Sequence, residues 1–215
     1  MSDRELGMVG SIAVGRRRFV ASIAFVLAAS LLSSPVDAQE AVLSDMALGS
    51  AQARVTIIEY ASMTCPHCAE FHIKLLPALK EKYINTGAVR LVYRDFPLDG
   101  LAMRAAMTAR CAGPERYFGF VDLFYQQQSS WTRAKDQIGA LQQLSRIGGL
   151  TPEKFKTCLD NGALQEYVVK SRQQGEAEFG VSGTPTFVIE GKVYRGIETV
   201  EEFARIIDPV IAAKN

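Results

Sequence analysis

A chain of 215 residues with 24 basic and 23 acidic side chains is close to neutral, which excludes the basic surface that nucleic acid requires. Hydrophobic residues make up 48% of it, enough for one compact domain with a proper core. Beyond the first 38 residues no apolar run approaches the roughly 18 residues of a membrane span.

Arg16-Arg17-Arg18 stand before an apolar run from Phe19 to Leu32, and Val36-Asp37-Ala38 offers a small-residue cleavage site. This three-part pattern predicts an export signal peptide over 1–38, cut near Ala38. Both the general and the twin-arginine export routes fit it. The remaining protein then lies outside the cytoplasm. The leader carries Arg4, Arg16, Arg17 and Arg18 against Asp3, Glu5 and Asp37, so its loss leaves the charges balanced.

Gln39 to Ala53 reads as an extended lead-in. The β-branched run Val55-Thr56-Ile57-Ile58-Glu59-Tyr60 predicts a buried strand to about Ala61. Phe71, Leu75, Leu76 and Leu79 recur at helical spacing, so a helix is expected from Cys65 to about Asn85, stopped by Gly87. A second strand covers 89–94. Strand, helix and strand at this length form a βαβ unit with parallel strands. Helices are then predicted over 101–111, 117–128, 136–147, 152–161 and 163–179. Strand character returns at 186–190 and 193–195, linked by Gly191-Lys192 as a hairpin. A final helix runs from about Val200 to Ala212. The segments divide at 39–100, 101–178 (the helical insertion) and 179–215.

Cys65-Pro66-His67-Cys68 falls where the first strand meets the first helix. Unpaired N–H groups and the helix dipole at that junction favour a negative charge, as thiol–disulfide exchange needs. Cys65 is the candidate nucleophile. The dipole supplies roughly 0.3–2 kcal/mol, which lowers a thiol pKa by about 1.5 units at most. His67, if protonated, and N–H donors to the sulfur must do the rest. Pro66 fits because its missing N–H falls in the first helical turn. Cys68, one turn further in, is the resolving thiol. Glu59, inside an apolar strand, is the candidate acceptor for the Cys68 proton if it is buried, and an exposed edge glutamate if it is not. His72 lies four residues after Cys68 and is expected at the surface or its boundary.

All four cysteines follow the leader, and an oxidising compartment favours disulfides. Adjacency favours 65–68, which leaves Cys111 with Cys158, the alternative being two buried free thiols. A bridge there would close a loop of about 48 residues, worth roughly 4 kcal/mol in the chain-entropy model. Cys65, Cys68, His67 and His72 as zinc or copper ligands form a rival reading. Trp131, Phe118, Phe120, Phe124 and Tyr125 read as core or groove lining, and Arg94 and Asp95 as a solvated strand end.

Cys65-Pro66-His67-Cys68 and Gly183-Thr184-Pro185-Thr186-Phe187 together resemble the DsbA family of periplasmic thiol:disulfide oxidoreductases, within the thioredoxin superfamily. The likeness covers nearly all of the chain after the leader. It implies an α/β thioredoxin fold with an inserted all-helical domain, acting as a monomer without a cofactor. It also implies a cis Thr184–Pro185 peptide facing the cysteines, whose backbone binds substrate. Glu59 matches the superfamily's buried acid. Unfolded exported proteins would be the clients, and a quinone-linked membrane partner of the DsbB type would reoxidise the protein. Each unit of thiolate stabilisation below ambient pH makes a disulfide more oxidising by about 30 mV, a direction already established for the low-pKa dithiols of the DsbA class. Two features depart from the best-known pattern: Thr184 replaces valine before the proline, and the Cys111/Cys158 pair occurs only in some branches. The expected activity is disulfide donation, with an isomerase or reductase on the same fold as the alternative.

Overall fold

The computed structural model describes residues 42–214, so the expected leader over 1–38 lies outside the described residues. Strand β1 (Met46–Leu48) sits in what the sequence suggested was a plain extended lead-in. β2 (Val55–Ala61) is followed by helix α1 (residues 66–84), then β3 (Val89–Asp95). Six helices come next: α2 (Gly100–Cys111), α3 (Pro114–Gln126), α4 (Gln128–Thr132), α5 (Gln137–Ile147), α6 (Pro152–Leu159) and α7 (Gly162–Phe179). β4 (Thr186–Ile189), β5 (Lys192–Arg195) and α8 (Val200–Ala213) complete the order.

The sheet runs β1-β3-β2-β4-β5. β2 pairs parallel with β3 and antiparallel with β4, which makes it the central strand. Its residues therefore have no open edge, and Val55, Ile57, Glu59, Tyr60 and Ala61 are all buried. β1 adds antiparallel to β3, and β5 to β4. The β4–β5 turn is Glu190-Gly191, one residue earlier than the sequence suggested. Both residues have positive φ, 49° and 76°, which a two-residue hairpin turn demands.

Helix α1 is one run with four segments: α-helix Pro66–Glu70, π-helix Phe71–Leu75, α-helix Leu76–Leu79 and π-helix Lys80–Ile84. Pro77 explains the first widening. It has no N–H to bond Ile73, and the N–H of Leu76 reaches back to the Phe71 carbonyl instead.

The helical insertion shares its core with the sheet. Cys65, Cys68, Ala69 and Tyr93 pack in one cluster with Tyr117, Phe120, Phe124, Tyr125 and Trp131. A second cluster on the same side of the chain order joins Phe71, Leu76 and Leu79 of α1 to Phe187, Phe203 and Ile207. Gly175 of α7 packs so closely on Tyr60 that an added Cβ would lie 2.6 Å from its ring. The Arg94 and Asp95 expectation is corrected. Asp95 is buried in an ion pair with Arg110, and Arg110 also donates to the Val42 and Ser44 carbonyls at 3.1 and 2.9 Å. Arg94 holds Asp45 at 3.0 Å.

Cys111 and Cys158 are bonded, with Cα atoms 6.0 Å apart, and join the end of α2 to α6. The bridge acts by constraining the unfolded chain, and the Cys111→Ser/Cys158→Ser protein is expected to lose about 2–4 kcal/mol. Urea midpoints of the two proteins at matched redox state of Cys65–Cys68 check this.

Candidate active site

Cys65 is the N-cap of α1, with extended backbone (φ −78°, ψ 120°), and Pro66 occupies the first helical position. The turn before it is held from four directions. The Cys65 N–H reaches the Ser62 carbonyl at 3.1 Å. Gln128 Nε2 donates to the carbonyls of Met63 and Cys65, both at 2.9 Å. Tyr125 donates to the Ser62 carbonyl at 3.2 Å, and Thr64 to Asp99 at 2.8 Å. Gln128 and Asp99 were not singled out in the sequence and Tyr125 only as core or groove lining; each is brought to the turn from the insertion or its threshold by tertiary packing.

Cys65 and Cys68 are free thiols, both buried, at 5% and 0% exposure. Cys65 Sγ lies 3.1 Å from the Thr184 carbonyl. Thr184–Pro185 is cis, so the residues named at the two ends of the chain meet across the sulfur. The Cys65 thiol is lowered from 9.0 to about 5. The hydrogen bond from the Cys68 side chain is the main cause; burial opposes it, and the Thr184 hydroxyl and the backbone N–H groups of Cys68 and His67 add to it. That hydroxyl is buried and has no hydrogen-bond partner among the described residues while Cys65 is a thiol. Cys68 is pushed the opposite way, by burial first, then by the bond it gives Cys65 and by the charges of Cys65 and Glu59.

His67 acts through its backbone. Its ring is 79% exposed and 4.0 Å from Glu70, so the imidazolium expected to hold the thiolate stands off the sulfur. Glu59 lies fully buried beneath α1, and His72 is its partner at 3.0 Å. The surface or boundary expectation for His72 is thereby corrected: the face it shares with Cys68 is covered by Tyr93 and Tyr125. With His67 facing solvent and His72 turned to Glu59, the four residues of the metal reading do not converge. No group of three or more His, Cys, Asp or Glu fit to hold a metal occurs among the described residues.

A groove of about 490 Å³ opens beside the sulfur, lined by His67, Phe71, Leu75, Thr184, Pro185 and Ile197 among others. Glu70, Arg195 and Glu198 give it a charged rim. An apolar floor next to the cis Thr184–Pro185 peptide suits an extended peptide.

A mixed sheet, a Cys-x-x-C pair at a helix N-terminus and a cis-proline opposite it define a dithiol protein of thioredoxin fold. The family model described as Thioredoxin matches residues 42–209. The chain belongs to that family. A Rickettsia typhi protein named as a protein-disulfide oxidoreductase is 32% identical over 166 residues, 77% of this chain and 61% of its own length. The chain thus spans about three fifths of the rickettsial relatives it matches. Disulfide bond formation protein D of Bacillus subtilis is 22% identical over 184 residues, covering 83% of this chain and 82% of that one. Among solved structures, alpha-DsbA1 of Wolbachia pipientis superposes with a TM-score of 0.74 at 29% identity, over 80% of this chain and 92% of that one. Oxidised BdbD of Bacillus subtilis superposes with a TM-score of 0.71 at 21% identity, over 78% and 93%, and shares the fold.

Proposed function

We propose that this protein is a periplasmic disulfide oxidase, transferring the Cys65–Cys68 disulfide to exported, unfolded proteins. The observation that carries the reading is the placement of the two thiols: Cys65 caps the helix 3.1 Å from the carbonyl of the cis Thr184–Pro185 peptide and is lowered to about 5, while Cys68 is fully buried behind it and raised. A stabilised Cys65 thiolate is a good leaving group, and it favours the reduced dithiol over the disulfide. A client thiolate attacks Cys65, the Cys65–Cys68 bond breaks, and Cys68 leaves and takes a proton. The client's second thiolate then attacks the mixed disulfide and expels Cys65. The client is oxidised and the protein is left as the dithiol.

In this reading Cys65 is the nucleophile, Cys68 the resolving thiol, and Pro66 and His67 present the N–H groups of the first turn. Glu59 exchanges a proton with Cys68. Thr184 and Pro185 pair with the client backbone along the groove. Reoxidation falls to a membrane quinone reductase of the DsbB type, and the protein works as a monomer.

The names of the relatives above support the chemistry, and the expected leader over 1–38 supports the location. No helix among the described residues is long and apolar enough to cross a membrane. The test is single-turnover oxidation of a peptide dithiol by the oxidised protein at pH 7. Stoichiometric peptide disulfide is expected; a protein that instead reduces a peptide disulfide and needs an electron supply would be the reductase.

A further inference from the structure

Behind Cys68 lies a pair of ionisable side chains sealed from solvent. Glu59 sits mid-strand on β2, between Tyr93 of β3 and Phe187 of β4. The Glu59 and His72 side chains are 0% and 1% exposed. His72 Nε2 is 3.0 Å from Glu59 Oε2 and 3.2 Å from Oε1, so one ring N–H spans the carboxylate. Nδ1 of the same ring is buried with no hydrogen-bond partner among the described residues.

That orphan nitrogen fixes the charge. An imidazolium would bury an N–H at Nδ1 with nothing to receive it, a heavier penalty than a bare acceptor there. The bonding pattern therefore assigns a neutral ring, protonated at Nε2 and donating to the Glu59 carboxyl group.

The groups that face the pair are few. Tyr93 approaches from β3 and Tyr125 from α3, with ring centroids 5.6 and 4.6 Å from His72. Cys68 lies one turn earlier on α1. The Asp95–Arg110 ion pair and Tyr117 form the next layer, Tyr117 standing 5.8 Å from Tyr93. Burial pushes the Tyr93 and Tyr125 phenols well up, so both keep their protons. That leaves the Glu59 carboxylate as the base on this side of Cys68.

We propose that His72 is a positioning residue: its Nε2–H keeps Glu59 ionised, in the form that accepts the Cys68 proton. The inference rests on the exchange reading above. When Cys68 closes on a mixed disulfide at Cys65, its S–H bond breaks and the proton passes to a Glu59 carboxylate oxygen. The Cys68 sulfur bonds to Cys65, and the partner leaves as a thiolate. In the forward direction Glu59 returns the proton to the departing Cys68.

The test mixes reduced protein with dithiobis(nitrobenzoate) in stopped flow. The first release of coloured thiolate reports attack by Cys65, and the second reports closure by Cys68. In His72→Leu the carboxylate loses the N–H donor that favours its ionised form. The second phase is then expected to slow about tenfold near pH 6, and by less than about twofold near pH 8.5. The first phase stays as in the wild type. His72→Gln carries an amide N–H in place of Nε2–H and restores the wild-type profile. Equal slowing at every pH, no slowing, or glutamine behaving as leucine would overturn the proposal. If the leucine protein does not fold, ring ¹⁵N signals of the wild type decide. The chain has two histidines, one exposed and one buried. A neutral Nε2–H tautomer for His72 through pH 6–7 upholds the assignment, and an imidazolium pattern overturns it. A wild type with the expected second phase that oxidises no peptide dithiol would uphold His72 and defeat the disulfide-donor reading.

Discussion

Replacing Cys68 with serine is expected to trap clients as mixed disulfides on Cys65, while Cys65→Ser traps nothing and transfers nothing. Cys65 meets the carbonyl of Thr184, a residue that lines the groove, whereas Cys68 is fully buried in the cluster it shares with α3. A client sulfur therefore has one sulfur within reach. It meets a group whose thiolate is stabilised, so Cys65 is both the point of attack and the better leaving group once the mixed disulfide resolves. Without Cys68 no internal thiol can expel the client, and the complex persists until an external thiol arrives. Transfer by Cys65→Ser is expected to fall more than about a thousandfold, to the uncatalysed rate. Non-reducing electrophoresis and intact mass check both after incubation with a disulfide-bonded client, in which the Cys65 thiolate bonds to one client sulfur and the other leaves as a thiolate. A covalent complex formed through Cys68 in the Cys65→Ser protein would overturn the assignment of roles.

The second large effect is on stability. The folded Cys65 thiol titrates at about 5 against 9.0 for the free group. A folded value below the unfolded one means that the thiolate stabilises the fold. The contribution is complete above about pH 9, shrinks as pH falls and vanishes below about pH 5. At about 1.36 kcal/mol per unit, the reduced protein is expected to gain about 3–4 kcal/mol between pH 5 and pH 8 relative to Cys65→Ser. The Cys68 shift has the opposite sign but acts only above the free thiol's value, outside that window. A disulfide does not titrate, so the oxidised protein lacks this pH slope. Urea unfolding of the reduced, oxidised and Cys65→Ser forms across that range tests it. Parallel slopes for all three would mean that the thiolate is not held.

Much of this was legible in the sequence because the signals were local. The β-branched run at Val55–Ala61, the Cys-Pro-His-Cys junction and the Gly191 hairpin each announce themselves within a few residues. Five helices of the insertion could be read segment by segment, but the short α4 (Gln128–Thr132) was not among them, and Asp136 and Thr151 prove to be the N-caps of α5 and α6. What escaped depended on partners distant in sequence. β1 is a strand only because β3 offers it an edge. Asp95 reads as a strand end until Arg110, fifteen residues on, arrives to pair with it. His72 looks like a boundary residue because nothing near it says that Tyr125 covers that face. The π segments were missed although Pro77 was in plain view, since helical periodicity alone says nothing of a missing N–H. Glu59 was placed correctly in its strand, but its partner came from the helix above.

The redox equilibrium of the Cys65–Cys68 pair with glutathione at pH 7, in the Cys111→Ser/Cys158→Ser protein, bears most directly on the proposed role. A thiolate about two units below ambient pH raises the potential by about 60 mV over a dithiol that titrates near 7. The expected value is therefore about −210 mV or higher, against about −270 mV for thioredoxin. A measured potential at the thioredoxin value or below would mean that the protein is a reductant, and that disulfide donation is not its function.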